Sequence, residues 1–282
     1  MNYFFLLQES GLDHNLVVFF LVALIVVLTL YFAYHMVEII YVMKYNRPLY
    51  DNFSFHLKQL PTAQLEILKK KFLFYNKLDE KHKKYFEHRV ASFINEKSFI
   101  GREGIEITDD IKVLVSATAC MLTFGFRNFH IDLINRIFIY PEEFYSTIND
   151  EFHKGEFNPR MGALVLSWKD FKDGVGDPND HINLGIHEFA HAIHLNCLKR
   201  RDVSSIIFRS TFNELIRIIS DKDQGNKLIE SHFLRKYAFT NQFEFLAVTI
   251  ESFIETPEEF KTKFPKIYNK IKQMLNFNFA EY

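Results

Sequence analysis

The sequence predicts an α+β fold, mostly helical with a small sheet, preceded by one transmembrane helix. Three observations support this prediction. A stretch of nineteen residues near the N-terminus, Leu16–Tyr34, contains no charged side chain. Over much of the remaining chain, apolar residues recur at intervals of three and four, as amphipathic helices require. Two short runs, Arg136–Tyr140 and Ala163–Trp168, have the β-branched and aromatic composition of strands.

The composition limits the class of protein. With 282 residues, of which 48% are apolar, the chain is long enough to bury a sizeable core in one or two domains. Its 34 basic and 35 acidic residues nearly cancel, so no overall field favours nucleic acid as a partner. Cys120 and Cys197 are isolated and lack the paired spacing of a zinc ribbon or a redox motif. We expect two buried, free thiols in a reducing compartment.

The stretch Leu16–Tyr34 is long enough to cross the hydrocarbon core of a bilayer as a helix. A cleavable signal peptide would begin with basic residues, whereas Glu9 and Asp13 precede this stretch. A buried core helix is the alternative, but such helices seldom run this long without a polar face. Because Lys44 and Arg47 follow the stretch and nothing basic precedes it, the positive-inside tendency predicts a single-pass protein whose C-terminal part is cytoplasmic.

The membrane anchor and its juxtamembrane helix are expected to occupy residues 1–47, because Pro48 disfavours helical geometry in the residue before it. Residues 48–282 would then form the C-terminal domain. Between Ala63 and Phe99, the spacing of apolar residues predicts amphipathic helices. We interpret Lys69–Lys71 in this region as a solvated helix face, with contact with anionic lipid as the alternative.

The middle of the chain predicts a further helix, the two strands and a loop. Asp109 or Asp110 is expected to cap a helix that runs from Lys112 to Phe124 and is buried on most sides. The strands at Arg136–Tyr140 and Ala163–Trp168 follow it. Residues 173–180 are rich in Gly, Asp and Pro and predict a loop.

The helix expected after this loop carries a His-Glu-x-x-His pattern, and Asp180 or Asn183 is placed to cap it. His187 and His191 are four residues apart, so in a helix both imidazoles share one face and reach a single ion. Between them, Glu188 can take a proton from water and pass it to a leaving amine. This is the chemistry of peptide hydrolysis by a zinc enzyme, although packing alone can produce the same spacing.

A catalytic zinc site needs a third protein ligand and an open position. His194 lies two helical turns beyond His187, roughly 10.5 Å along the axis, which is too far for one ion to bind both. We therefore interpret His194 as structural or solvent-facing. In a later helix, Glu244 and Glu251 lie on one face in apolar surroundings, so one can bind the metal while the other orients a ligand histidine. The alternative is that both are surface residues.

Several segments resemble the Mlc titration factor A (MtfA) family of zinc peptidases, over residues 70 to 275. The segments that carry the resemblance are Lys97-Ser98-Phe99-Ile100-Gly101, Ala163-Leu164-Val165-Leu166-Ser167-Trp168, the zinc-motif helix, Glu244 with Ala247-Val248, Glu251, Phe253, and Pro257-Glu258. The resemblance implies a zincin-like metallopeptidase domain of the gluzincin type, in a fold related to that of the anthrax lethal factor protease.

The resemblance also implies roles for individual residues. The zinc ligands would be His187, His191 and Glu244, and the catalytic glutamate would be Glu188. A tyrosine precedes the distal glutamate in such enzymes, and here it is Tyr237, whose hydroxyl could stabilise the oxyanion formed during hydrolysis. The alternative for Tyr237 is a buried aromatic residue with a satisfied hydroxyl.

Family members are mostly soluble, cytosolic aminopeptidases, and the Escherichia member also binds the transcriptional repressor Mlc. The N-terminal span departs from this pattern, so neither the cytosolic behaviour nor the repressor partner carries over directly. The sequence therefore predicts a membrane-tethered zinc peptidase acting on a peptide or protein substrate, with the strand at residues 163–167 as the edge to which an extended peptide adds. The competing hypothesis is a membrane-anchored regulator that binds a protein partner, with zinc mainly structural.

Overall fold

The computed structural model describes residues 14–49, 56–146, 150–176, 182–280 and 282, and divides the chain into two compact units, Met1–Leu49 and Tyr50–Tyr282. The first unit contains helix α1, His14–Tyr45. This helix is long and apolar enough to cross a membrane, and no residue of its most apolar stretch is buried. At 32 residues it is about 48 Å long, so a spanning helix of this length extends beyond a hydrocarbon core of about 30 Å. It ends three residues before Pro48.

The second unit is mostly helical with a small sheet, which confirms this part of the predicted fold. Its described helices are α2 (Thr62–Lys71), α3 (Leu73–Lys77), α4 (Glu80–Glu96), α5 (Asp109–Leu122), α6 (Trp168–Gly176), α7 (Leu184–Lys199), α8 (Val203–Ser220), α9 (Lys222–Glu230), α10 (Gln242–Glu255), α11 (Pro257–Lys263) and α12 (Pro265–Met274), with a 3-10 turn at Lys236–Phe239. Its described strands are β1 (Ser98–Gly101), β2 (Arg136–Tyr140), β3 (Phe144–Ser146), β4 (Glu151–His153), β5 (Gly155–Asn158) and β6 (Ala163–Ser167).

The described strands form a four-stranded sheet, in the order β1-β2-β6-β5, and a separate hairpin of β3 and β4. Strands β1, β2 and β6 are parallel, and β5 is antiparallel to β6. Strand β6 therefore lies inside the sheet, so the expectation that residues 163–167 form the edge for an added peptide is wrong. Its near-continuous burial is typical of an interior strand. The edge next to it is β5.

The two expected strands are present as β2 and β6, except that Trp168 begins helix α6 and is not part of the strand. Strands β1, β3, β4 and β5 were not expected, and β1 begins at Ser98, within the region for which helices were predicted. Their sequences, such as Glu-Phe-His in β4 and Gly-Glu-Phe-Asn in β5, contain few β-branched residues. Pairing with neighbours, more than intrinsic preference, therefore gives these segments their extended structure.

Two expectations about local boundaries are corrected by the structure. Thr108 caps α5, because its hydroxyl accepts a hydrogen bond from the N–H of Ile111, so the helix begins at Asp109. Asp109 and Asp110 occupy the first turn instead, where negative charge is favourable. Residues 173–176 belong to the last turn of α6, which replaces the start of the expected loop, and residues 177–180 lie outside the described part of the chain.

The lysines at the end of α2 lie on an exposed helix face. Lys69 and Lys70 approach Glu66, at 3.3 and 3.8 Å, and Lys71 pairs with Asp110 on α5. These side chains are about half exposed or more. Such contacts agree with a solvated face whose charges are largely balanced locally.

The core of the second unit surrounds helices α5 and α7. In α5 nearly every residue from Ile111 onwards is buried. Cys120 in α5 and Cys197 in α7 are both buried and free, as expected. Helix α7 packs against α5, α8 and α10, and Phe189 on its inner face is fully buried. This packing fixes the helix that carries the His-Glu-x-x-His pattern.

Candidate metal centre

The metal-binding pattern lies on α7, whose start is fixed by Asn183. The side-chain oxygen of Asn183 accepts a hydrogen bond from the N–H of Ile186 at 3.0 Å, and its amide donates to the carbonyl of Gly174 at 2.8 Å. Asn183 is therefore the cap, whereas Asp180 lies outside the described residues. Ile186 and Phe189 anchor one face of the helix in the core. The opposite face, which carries His187, therefore faces a cleft.

Among the described residues, His187, His191 and Glu244 form a group whose candidate ligand atoms all lie within 4.8 Å of one another. The Nε2 atoms of the two histidines are 3.0 Å apart. Glu244, in the first turn of α10, places Oε2 at 3.0 Å from His187 Nε2 and Oε1 at 3.5 Å from His191 Nε2. All three side chains are mostly buried, with exposed fractions of 12 to 18%.

This group fits a divalent metal ion. Oε2 of Glu244 is buried and has no partner with hydrogen-bond geometry among the described residues, although it lies close to the His187 ring. Two imidazole nitrogens and a carboxylate oxygen are a donor set that zinc commonly takes. Three protein ligands also leave a fourth position open, as catalytic zinc sites do.

In the absence of a metal ion, the carboxylates and imidazoles of the group shift one another's pKa values. Burial lowers the pKa of His187, but its contacts with Glu244 and Glu251 outweigh burial and raise that pKa to about 9. Burial raises the pKa of Glu244, but the neighbouring imidazoles of His187 and His191 hold it well below its usual range. The carboxylate is thus strongly stabilised in its charged form, which is the form that binds metals.

Glu251 orients His187. This glutamate is 1% exposed, and its Oε1 lies 2.7 Å from His187 Nδ1 and 2.7 Å from Nη2 of Arg235. Its Oε2 accepts a hydrogen bond from the backbone N–H of Asn183 at 2.9 Å. The alternative of a surface residue is therefore wrong for Glu251. A carboxylate on Nδ1 leaves Nε2 of the imidazole to face the metal position.

Glu188 lies beside the metal position, next to the edge strand β5. Its side chain is 7% exposed, and burial raises its pKa. A Cβ atom added to Gly155 would lie 2.7 Å from Cγ and 2.8 Å from Oε1 of Glu188. Only glycine therefore lets the backbone of β5 approach this carboxylate so closely.

Tyr237 lies in the 3-10 turn ahead of α10, with its ring 6.0 Å from that of His187. The side chain is 52% exposed, so the alternative of a buried aromatic residue is wrong. Partial burial and the negative charge of Glu244 raise the pKa of Tyr237 to about 12. Its hydroxyl therefore remains protonated at neutral pH and can donate a hydrogen bond.

His194 is not part of the metal group. It is 2% exposed, and its ring contacts Phe212 at 4.5 Å and Phe243 at 5.1 Å between centroids. Burial lowers the pKa of His194 to about 4, so the ring is neutral at neutral pH. Of the two interpretations from the sequence, the structural one agrees with this packing.

His187 and the candidate catalytic residues Glu188 and Tyr237 line a cleft of about 540 Å³. Besides His187, Glu188, Tyr237 and Glu251, its walls include the N-terminal end of β5 and residues of the β3–β4 hairpin. Reasoning from the sequence missed Gly155, Arg235 and the hairpin. A single glycine or arginine at these positions carries no local pattern that marks it as part of a site.

Comparison with known families agrees with this geometry. The sequence profile of the glucose-regulated metallopeptidase family M90 matches residues 49–276. The chain belongs to the M90 family. Membership in a metallopeptidase family implies a bound metal, and the group of His187, His191 and Glu244 is a site that could hold it.

The chain is also similar to several individual proteins. It is 24% identical to an uncharacterised Synechocystis protein over 231 residues, which cover 77% of this chain and 84% of the relative. It is 25% identical to Mlc titration factor A of Klebsiella pneumoniae, over 68% of this chain and 77% of that protein. The same factor from Escherichia fergusonii is 23% identical, over 66% and 76% of the two chains. The resemblance to the MtfA family is therefore confirmed.

Proposed function

We propose that this protein is a zinc-dependent peptidase of the zincin-like, gluzincin type, tethered to a membrane by α1. The observation that carries the proposal is the convergence of His187, His191 and Glu244 beside Glu188, in a cleft bordered by an open strand edge. The M90 family match supports a metallopeptidase in general terms. Zinc is the metal that suits two imidazoles, one carboxylate and an open fourth position.

Glu188, Tyr237 and Glu251 have different roles in the proposed hydrolysis. A zinc ion held by His187, His191 and Glu244 would act as a Lewis acid towards the scissile carbonyl and a water molecule. Glu188 takes the proton of the attacking water and later donates it to the leaving amine. Tyr237 donates a hydrogen bond to the oxyanion that develops on the carbonyl oxygen. Glu251 keeps His187 in the orientation that binds metal.

The substrate is proposed to add to the edge strand β5. The carbonyl of Lys154 accepts a hydrogen bond from the N–H of Ser167 in β6 at 2.7 Å, so Lys154 faces β6. In an antiparallel pair, alternate residues face the partner strand and the residues between them face away. Gly155 and Phe157 therefore direct their N–H and C=O groups towards the open edge. An extended peptide paired there passes alongside Glu188, because Gly155 adjoins that carboxylate.

The negative charge of the cleft is the basis for proposing an aminopeptidase-like activity. Besides Glu188 and the paired Glu251 and Arg235, the walls carry the carboxylates of Glu143, Asp170 and Asp173 and the ammonium group of Lys154. Lys154 lies 2.6 Å from Asp170 and 3.7 Å from Glu143, so it offsets part of this negative charge. The remaining excess favours a substrate with a free, positively charged amino terminus.

The cytoplasmic location of the C-terminal unit is proposed on the positions of Lys44 and Arg47 after the apolar stretch. The test is a pair of reporters fused to the C-terminus, one active only in the cytoplasm and one active only outside it. Activity of the cytoplasmic reporter alone is expected. Activity of the other reporter would overturn this placement.

The proposed activity is tested with the full chain in detergent micelles, by measuring bound zinc and the cleavage of short peptides with a free amino terminus. The wild type is expected to bind about one zinc ion per chain and to cleave peptides. Glu188→Gln should keep the zinc but lose turnover by about a hundredfold or more. Glu258→Gln, at an exposed position on α11, is the matched control and should behave as the wild type. Unchanged turnover in Glu188→Gln would refute the role of Glu188.

A second candidate function is suggested by the names of the Klebsiella and Escherichia relatives, which describe a titration factor. In this alternative, the protein binds a partner protein and the metal is mainly structural. A structural site usually has four protein ligands, whereas the described group has three. Zinc binding with no cleavage of any peptide, together with partner binding by a chain lacking His187 and His191, would favour this alternative.

A further inference from the structure

Apolar side chains form part of the catalytic cleft although the cleft is open to solvent. Phe152 is 69% exposed and Ile182 is 52% exposed, and both line the same cleft as His187 and Glu188. Single exposed apolar residues are common on protein surfaces. Two such residues at the mouth of a cleft that also contains the candidate catalytic groups instead suggest a binding surface.

Phe152 is held in place by the β3–β4 hairpin. It pairs with Tyr145 across the hairpin, and the two rings meet edge to face with centroids 5.4 Å apart. The hydroxyl of Tyr145 donates a hydrogen bond to the carboxylate of Asp150, which braces the Tyr145 ring. The Phe152 side chain is therefore supported from one side and free to contact a ligand on the other.

The hairpin also fixes Phe152 relative to the substrate path. Only His153 and Lys154 separate Phe152 from Gly155, and all four residues line the cleft. Leu184, at the start of α7, also lines the cleft and approaches Gly155 on the same side as Glu188, because a Cβ added to Gly155 would lie 2.7 Å from Leu184 Cδ1. Apolar groups thus lie close to the point where the edge strand meets Glu188.

We propose that Phe152 and Ile182, together with Leu184 of the same cleft, form an apolar subsite that selects peptides with a large apolar side chain next to the cleaved bond. This inference rests on the proposed peptidase function and names the substrate class of that site. Contact with a leucine or phenylalanine side chain removes apolar surface from water on both partners. An aspartate side chain at the same position would lose hydration without gaining a partner.

The test measures kcat/KM of the full-length, zinc-loaded protein on short peptides with a free amino terminus. The peptides differ only at one of the two residues that flank the cleaved bond, which is alanine, leucine, phenylalanine or aspartate. At one of these two positions, kcat/KM for the leucine and phenylalanine peptides is expected to exceed kcat/KM for the alanine peptide by about tenfold. Phe152→Ala and Ile182→Ala should reduce this preference to about twofold or less, with the alanine peptide little changed.

Two further variants serve as controls. Ile229→Ala removes an equally exposed apolar side chain on α9, outside the cleft lining, and should keep the full preference. Phe152→Leu keeps an apolar side chain and should keep most of the preference for leucine and phenylalanine peptides. This result would show that the hairpin tolerates substitution at Phe152. A preference that is absent in the wild type, or unchanged in Phe152→Ala and Ile182→Ala, would overturn the subsite.

Peptide binding separates failure of this inference from failure of the proposed function. Fluorescence anisotropy of labelled peptides with Glu188→Gln reports affinity without turnover. If the wild type binds zinc but cleaves nothing, the peptidase proposal fails. Tighter binding of the leucine peptide that is lost on adding Phe152→Ala would still support the subsite. Equal binding of the leucine, alanine and aspartate peptides would overturn it.

Discussion

Nδ1 of His187 and Oε1 of Glu251 lie 2.7 Å apart, and the same carboxylate also contacts Arg235 and the backbone N–H of Asn183. One buried glutamate on α10 thus contacts both a candidate metal ligand and the capping residue of the helix that carries this ligand. The orientation of His187 therefore depends on the packing of α10 against α7. Loss of the negative charge at position 251 should therefore weaken metal binding.

Glu251→Gln should weaken zinc binding by about ten- to a hundredfold, because the neutral amide stabilises the His187 tautomer less well. Competition with a chromophoric chelator measures the dissociation constant. Glu258→Gln changes an exposed glutamate outside the site and should leave the affinity unchanged. Equal zinc affinity in Glu251→Gln and the wild type would show that the contact does not orient the ligand.

Gly155→Ala should reduce kcat by about ten- to a hundredfold while zinc binding is retained, because the new methyl group displaces Glu188. The added Cβ would lie 2.7 Å from Glu188 Cγ, which is closer than such contacts allow. Gly176→Ala is the matched control, since a Cβ at Gly176 meets nothing within 4 Å. The measurements are kcat and the bound zinc of both variants. Full activity of Gly155→Ala would argue against the position assigned to Glu188.

Tyr237→Phe should lower kcat/KM by about a hundredfold through loss of one hydrogen bond to the oxyanion. The ring is kept, so its contact with His187 and the zinc affinity should change little. Steady-state kinetics combined with the chelator competition distinguishes the two effects. A variant with wild-type kcat/KM would remove Tyr237 from the catalytic machinery.

His194 should make the folded protein sensitive to mild acid. Its folded-state pKa is about 4, below the usual value near 6.5, so the unfolded chain binds a proton more readily between these pH values. The free energy of unfolding should therefore fall as the pH drops from about 6.5 to 4, by about 3 kcal/mol from this residue at most. Above that window, His194 makes no pH-dependent contribution.

His194→Gln cannot titrate and should lose less stability over the same pH range. The measurement is denaturant unfolding of both proteins in excess chelator, so that loss of metal does not contribute to the difference. The difference in unfolding free energy between the two proteins is the relevant quantity, because other groups titrate in both. A constant difference from pH 7 to pH 4 would contradict the low pKa of the buried ring.

Much of the site could be predicted because its signals are local. The spacing of His187 and His191 follows from helical geometry and was found without tertiary information. The sequence offered Asp180 or Asn183 as the cap, and the structure shows that Asn183 caps the helix. The residues alone left Glu244 and Glu251 as equal candidates for the third ligand, and only the family resemblance favoured Glu244. The structure places Glu244 in the candidate metal group and Glu251 behind His187. Their catalytic and ligand roles remain predictions.

The errors concern features that depend on long-range pairing. Strand β6 was expected at an edge because it precedes the metal helix, but β5 folds back against it and takes the edge. The short strands β3, β4 and β5 carry little intrinsic preference and form through contacts with other segments. Helix boundaries at Thr108 and Gly176 shifted by a few residues, as frayed or capped helix ends commonly do.

The sequence by itself determined the local features: an apolar stretch long enough to span a membrane, the helix with two histidines on one face, and a mostly helical fold. These depend on the periodicity and length of single segments. Only the tertiary structure decided which strand lies at the edge of the sheet, which glutamate contacts Nδ1 of His187, and that Phe152 lines the same cleft as His187 and Glu188. Such relationships join residues that are far apart in the chain, and they depend on how helices and strands pack rather than on any local pattern.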